Sequence, residues 1–152
     1  MTRPLASTPP TMLPEDAELM IVARELLDAV YVPGRHEVAS AMRTRDGRIE
    51  TGVHVDGSAR RSTVCAEGVA AGNTIAHGGE VVSIVSLLRR QGGTTHVIEP
   101  CGVCADLLAD YWPRARVWVT QGDEIVEMTV SDLLPAKRTR VWSGASKPHR
   151  QE

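Results

Sequence analysis

The sequence predicts an α/β domain, a three-layer α/β/α sandwich around one mixed five-stranded sheet. Stretches with apolar residues at helical spacing alternate along the chain with short β-rich runs, the order expected of helices layered on a sheet. An Asp46-Gly47 turn between two extended runs marks a β-hairpin. At 152 residues the chain is long enough for one core and short for two. The domain is expected over 14–135, with a mobile N-terminal arm at 1–13 and a basic, polar tail at 136–152.

Residues 1–13 are proline-rich and show little periodicity, hence the arm. Pro14 suits the first turn of a helix, and Glu15 and Asp16 favour its dipole there. Leu19, Ile21, Val22, Leu26, Leu27 and Val30 follow at helical spacing until Pro33-Gly34 ends it. Val38, Ser40 and Met42 then share one face of a strand, and Ile49, Thr51, Val53 and Val55 one face of its hairpin partner. Ser62 or Thr63 is placed to cap a second helix, which begins near Cys65 and continues through Ala70, Ala71 and Ile75 to Gly78-Gly79. The apolar run from Glu80 to Leu88 reads as a buried strand. A polar loop from Arg89 to Thr95 follows, and His96-Val97-Ile98-Glu99 leads into the next motif. A third helix is expected from Gly102 to Tyr111, with Leu107 and Leu108 inward and Pro113 as its stop. Arg116 to Thr120 and Glu124 to Thr129 flank a Gln121-Gly122-Asp123 turn, and Val130 to Leu134 form a helical turn ending at Pro135.

The chemistry concentrates in two short segments. All 3 cysteines fall in Cys65-Ala66-Glu67 and Pro100-Cys101-Gly102-Val103-Cys104. An odd count in this spacing fits metal binding better than disulfides. Cys101 and Cys104 stand at i and i+3 in a first helical turn, so both sulfurs leave one face. Cys65 opens another helix, and both helix N-termini favour thiolates. Three thiolates suit Zn²⁺ with one position kept for water. Glu67, two residues after Cys65, stands where a general base for that water belongs. A structural zinc site or a redox pair is the alternative, with His54, His77 or His96 as a possible fourth ligand.

Composition narrows the partners. A net charge of −2 leaves no electrostatic footprint for nucleic acid, despite several basic residues after Pro135. No run approaches the roughly 18 apolar residues of a membrane span. The opening MTRPLASTPP has no apolar core of a secretory signal, and unpaired thiols suit a cytoplasmic setting. With no Phe, 3 Trp and 2 Tyr, ring stacking must use one of these or a His.

Taken as a set, Asp46-Gly47-Arg48, Thr51-Gly52-Val53, Cys65-Ala66-Glu67, Pro100-Cys101-Gly102-Val103-Cys104 and Leu133-Leu134-Pro135 resemble the cytidine and blasticidin S deaminases. The resemblance implies the three-layer deaminase fold, zinc on Cys65, Cys101 and Cys104, and Glu67 as proton shuttle. It also implies base contacts from the Ala66 N–H and the Pro100 carbonyl, a small-molecule nucleoside substrate, and a homotetramer. The departures fall on the substrate side. Where cytidine deaminases carry Gly-x-Asn-x-Glu for the ribose hydroxyls, this chain reads Gly52-Val53-His54-Val55-Asp56. His54 and Asp56, alternating on a strand, are expected to share the pocket face. His36 occupies the place of a usual Phe, Gly68 that of a usual Arg, and Ala105 and Asp106 those of a usual Arg and Gln. The Leu133-Leu134-Pro135 ending with Val141-Trp142 is more similar to the blasticidin S deaminases, and Trp142 is a candidate to close over a bound base. The resemblance thus implies hydrolytic loss of an exocyclic amine from a cytidine-like nucleoside. Blasticidin S or another aminated ring (purine, pterin, triazine) is the alternative substrate, and a zinc-stabilised binding module the alternative of another class.

Overall fold

A computed structural model describes residues 3–138. Helix α1, Pro14–Val30, opens the domain and is followed by strands β1, Val38–Thr44, and β2, Ile49–Val53. Helix α2, Ala66–Ala76, leads to β3, Val81–Arg89, and β4, Thr95–Ile98. Helix α3, Gly102–Tyr111, leads to β5, Arg116–Gln121, and β6, Glu124–Thr129, and a 3₁₀ turn, Val130–Leu133, follows. The strands form one mixed sheet in the order β2-β1-β3-β5-β6, with β4 paired to β3 beside that path. Among the described residues only the β3–β5 pairing is parallel, with Ser83 opposite Arg116.

The sheet therefore has six strands where five were expected. The extra one is β4, four residues set antiparallel to the far half of β3, with Ser86 opposite Ile98. Gly92 and Gly93 turn the chain back at φ +102° and +90°, a backbone region that L side chains rarely adopt. A strand this short shows no period of its own, and its partner makes it a strand.

Alternation along the strands sorts two cores onto the two faces. One packs Leu19, Met20, Ala23 and Leu27 of α1 against Ala39, Ala41, Val85, Leu87 and Trp118. The other packs Ala70 and Ala71 of α2 and Leu108 of α3 against Met42, Ile84 and Val117. The result is the expected three layers, with α2 and α3 together on one side. Ile21 was expected on the buried face of α1 but is 58% exposed. The inward positions fall on Leu19, Met20, Ala23 and Leu27, joined by Asp16, which is completely buried. Neither Ser62 nor Thr63 caps α2; Cys65 is its N-cap, without a side-chain cap.

Residues 3–12 make specific contacts with the domain. The Ala6 N–H donates to the Thr95 carbonyl at 2.7 Å, and His96 Nδ1 to the Pro4 carbonyl at 2.8 Å. Met12 is buried in the α1 core. Trp142 lies outside the described residues. No helix among the described residues is long and apolar enough to cross a membrane.

Candidate functional site

Two helices begin at the site. Cys65 and Cys101 are the N-caps of α2 and α3, both with extended backbone, and Cys104 lies on the first turn of α3. The three sulfurs lie within 4.8 Å of one another. Cys65 and Cys101 are 3.5 Å apart, far beyond the ~2.05 Å of a disulfide. A tetrahedral zinc with Zn–S bonds of about 2.3 Å has sulfurs about 3.8 Å apart, so the cluster fits that ion. Burial ranges from Cys101, exposed, through Cys65 to Cys104, buried.

The thiols differ in acidity. Burial pushes Cys65 up and Cys104 further up, where the Glu67 charge and the other sulfurs add to it. Burial also opposes ionisation of Cys101, but hydrogen bonds from the backbone of Cys104 and Val103 and from Cys65 bring it below the ordinary range. Cys101 is thus the readiest of the three to ionise, and a cation among the sulfurs would stabilise all three as thiolates.

Glu67 follows on the first turn of α2 and is only 3% exposed. With Cys65, Ala66, Cys101 and His54 it lines a cavity of about 250 Å³. Three larger cavities, of about 380, 390 and 470 Å³, lie elsewhere and include neither Glu67 nor any cysteine. Chemistry rather than size therefore picks out the site. Gly52 lets α2 approach the sheet this closely. A Cβ there would stand 2.3 Å from the Ala66 carbonyl oxygen and 2.4 Å from the Ala70 nitrogen.

The expected substrate residues separate. His54 lines the cavity, and its Nδ1 is buried with no hydrogen-bond partner among the described residues. Asp56 does not line it. Strand β2 ends at Val53, so the alternation stops, and the Asp56 carboxylate instead accepts a hydrogen bond from Thr63. His36 faces another groove, beside Leu26, Val30 and Asn73, and its Nδ1 donates to the His54 carbonyl at 2.9 Å. It supports the His54 backbone rather than lining the pocket. Pro100 is buried between two wall residues, Glu99 and Cys101. Glu37 and Glu99 line the cavity and were not singled out from the sequence. Only the adjacency of Glu99 to Pro100-Cys101 pointed that way.

No family model matches the chain. It is 33% identical over 131 residues to the blasticidin-S deaminase of Bacillus cereus, covering 83% of this chain and 94% of that one. It is 30% identical over 129 residues to the cytidine deaminase of Halalkalibacterium halodurans, with 82% and 95% covered. The crystal structure of the cytidine deaminase from Bacillus anthracis superposes with a TM-score of 0.71 at 25% identity, over 80% of this chain and 88% of that one. That from Mycobacterium leprae does so with a TM-score of 0.65 at 26% identity, over 78% and 96%. The chain belongs to the cytidine deaminase-like superfamily of hydrolytic deaminases.

Proposed function

We propose that the protein is a zinc-dependent deaminase that removes the exocyclic amine of a cytosine-like ring carried by a nucleoside or nucleoside analogue. The observation that carries this reading is a buried carboxylate, Glu67, on the wall of a cavity shared with Cys65 and Cys101, whose sulfurs converge with that of Cys104. Cys65, Cys101 and Cys104 would hold the ion. When bound there, zinc supplies a water acidic enough to react near neutral pH.

Glu67 takes a proton from the attacking water and delivers it to the ring nitrogen as oxygen adds to the amine-bearing carbon. It then passes the second proton to the amine as the carbon–nitrogen bond breaks. A carbonyl and ammonia result, so one water is consumed for each ammonia released. The first-turn N–H of Ala66, which has no intrahelical acceptor, can donate to the base, and the Pro100 carbonyl can accept from the departing amine. His54, with its unpartnered Nδ1, contacts the rest of the substrate. The small cavity suits a free nucleoside rather than a polynucleotide.

Blasticidin S is the second substrate, favoured by the Bacillus cereus relative and by His54 standing where cytidine deaminases carry Asn. A homotetramer working in the cytoplasm completes the reading. Exposed Val55, Val64 and Val103, in segments around the site, are consistent with subunit contacts there. The test is ammonia release by zinc-loaded protein from cytidine, deoxycytidine, cytosine and blasticidin S, with light scattering for the assembly. Turnover of a cytosine-bearing compound is expected. Silence across the panel from fully metallated protein overturns the proposal.

A further inference from the structure

We propose that the N-terminal segment is a working part of the pocket, with Arg3 as a positioning residue that holds the rim at Glu99. This rests on the reading of the Glu67 cavity as the substrate pocket. Arg3 grips both carboxylate oxygens of Glu99, Nη1 at 2.7 Å and Nη2 at 2.9 Å. Its Nη1 also donates to the Val97 carbonyl at 3.1 Å. A planar fork on two oxygens fixes direction as well as distance, which a single contact does not.

The grip is not an isolated surface pair. Two further bonds, Ala6 N–H to Thr95 and His96 Nδ1 to Pro4, lay residues 3–6 along β4. His96 is itself only 5% exposed, so its bond to Pro4 is shielded from water. Strand β4 is four residues long and, among the described residues, pairs as a strand with β3 alone. A short strand paired along one edge, with one further bond from Thr120 Oγ1 to the Val97 carbonyl at 2.6 Å, is easily displaced, and the N-terminal segment adds the remaining ties. Its last residue, Ile98, and the next, Glu99, both line the cavity, and Cys101 follows two residues on.

The electrostatics point the same way. Glu37, Glu67 and Glu99 all line the cavity. The Arg3 guanidinium, forked onto both oxygens of Glu99, offsets that carboxylate's charge at the rim. Glu67 and the sulfurs are carried by α2 and α3 and do not touch Arg3. Loss of Arg3 therefore acts on how substrate is held more than on the proton transfers.

Two readouts on the full chain test this. In Arg3→Ala, amide hydrogen exchange across 95–104 is expected to speed up, and KM for the substrate turned over by the native protein to rise about tenfold with kcat nearly unchanged. Arg3→Lys, which keeps the charge but loses the fork, should recover only part of the loss. Unchanged exchange across 95–104 overturns the proposal, and so does faster exchange with an unchanged KM. Exchange needs no substrate. Native protein that releases no ammonia, while Arg3→Ala still loosens 95–104, counts against the deaminase reading and leaves the positioning of the rim supported by its own measurement.

Discussion

Among the described residues one carboxylate is buried on each face of the sheet, and the two are used in opposite ways. Asp16, on α1, is completely buried and accepts from Arg116 Nε at 3.2 Å, Arg116 Nη2 at 3.0 Å and Trp118 Nε1 at 2.8 Å. Glu67, on α2, is 3% exposed and stands beside three sulfurs on the wall of a cavity. A buried acid with its lone pairs occupied is a structural tie, inert to any ligand. One left facing a cavity keeps its capacity to move protons, a cost to stability that active sites accept. Burial alone therefore says nothing about role; the partners do.

The sharpest break in this comparison is Glu67→Gln. Ammonia release should fall about a thousandfold, within the range for a lost general base, while zinc content and the melting temperature hold or rise. Activity that survives the change removes Glu67 from the mechanism. Next in size is the metal itself. Cys101→Ala should leave the purified protein without stoichiometric zinc by mass spectrometry of the metal, and a chelator should lower the melting temperature of the native chain. Native zinc content in that variant refutes the ligand assignment.

Asp16→Asn should show the converse of Glu67→Gln. Stability to urea drops by about 2–3 kcal/mol, under the cost for a fully enclosed pair because the Arg116 side chain is 30% exposed, and turnover per folded molecule is unchanged. The pH dependence follows in sign. Burial raises the Asp16 pKa, but the bonds from Arg116 and Trp118 outweigh it, so the folded value lies below the unfolded one. The stabilisation is then complete above the unfolded value of about 3.9 and lost as pH falls through the folded value. Urea midpoints between pH 7 and pH 3 should fall more steeply for the native chain than for Asp16→Asn.

The smallest effect is expected from His54→Ala, a change of about tenfold in KM and a shift in preference among nucleosides, with zinc and stability intact. Identical substrate profiles for the two proteins would remove His54 from the substrate site.

Legibility in the sequence followed the distance over which each feature is decided. Helix α3 has the bounds that its apolar spacing and Pro113 indicated, and the Cys65-Ala66-Glu67 and Cys101-to-Cys104 segments each sit at a helix start, as their local pattern implied. Asp16 read as a helix-dipole acid because its partners, Arg116 and Trp118, lie 100 and 102 residues away. Strand β4 carries no pattern of its own in the sequence, because pairing with β3 defines it. Strand alternation carried past Val53 puts Asp56 in the pocket, but the strand ends at Val53.

Arg3 illustrates the same boundary, since no local pattern joins it to Glu99, 96 residues on. The sequence by itself determined the order of the long helices and of every strand but β4, and the placing of three cysteines and a carboxylate at two helix starts, a donor set suited to a metal ion. These depend on side-chain type and spacing within a few residues, which backbone geometry converts directly into a shared face or a shared turn. Tertiary structure alone decided which carboxylate is tied and which faces the cavity, that His54 reaches it while Asp56 and His36 do not, and that residues 3–6 reinforce its rim. Those outcomes depend on where distant segments meet, and a hydrogen bond forms only between groups the whole fold has brought within about 3 Å.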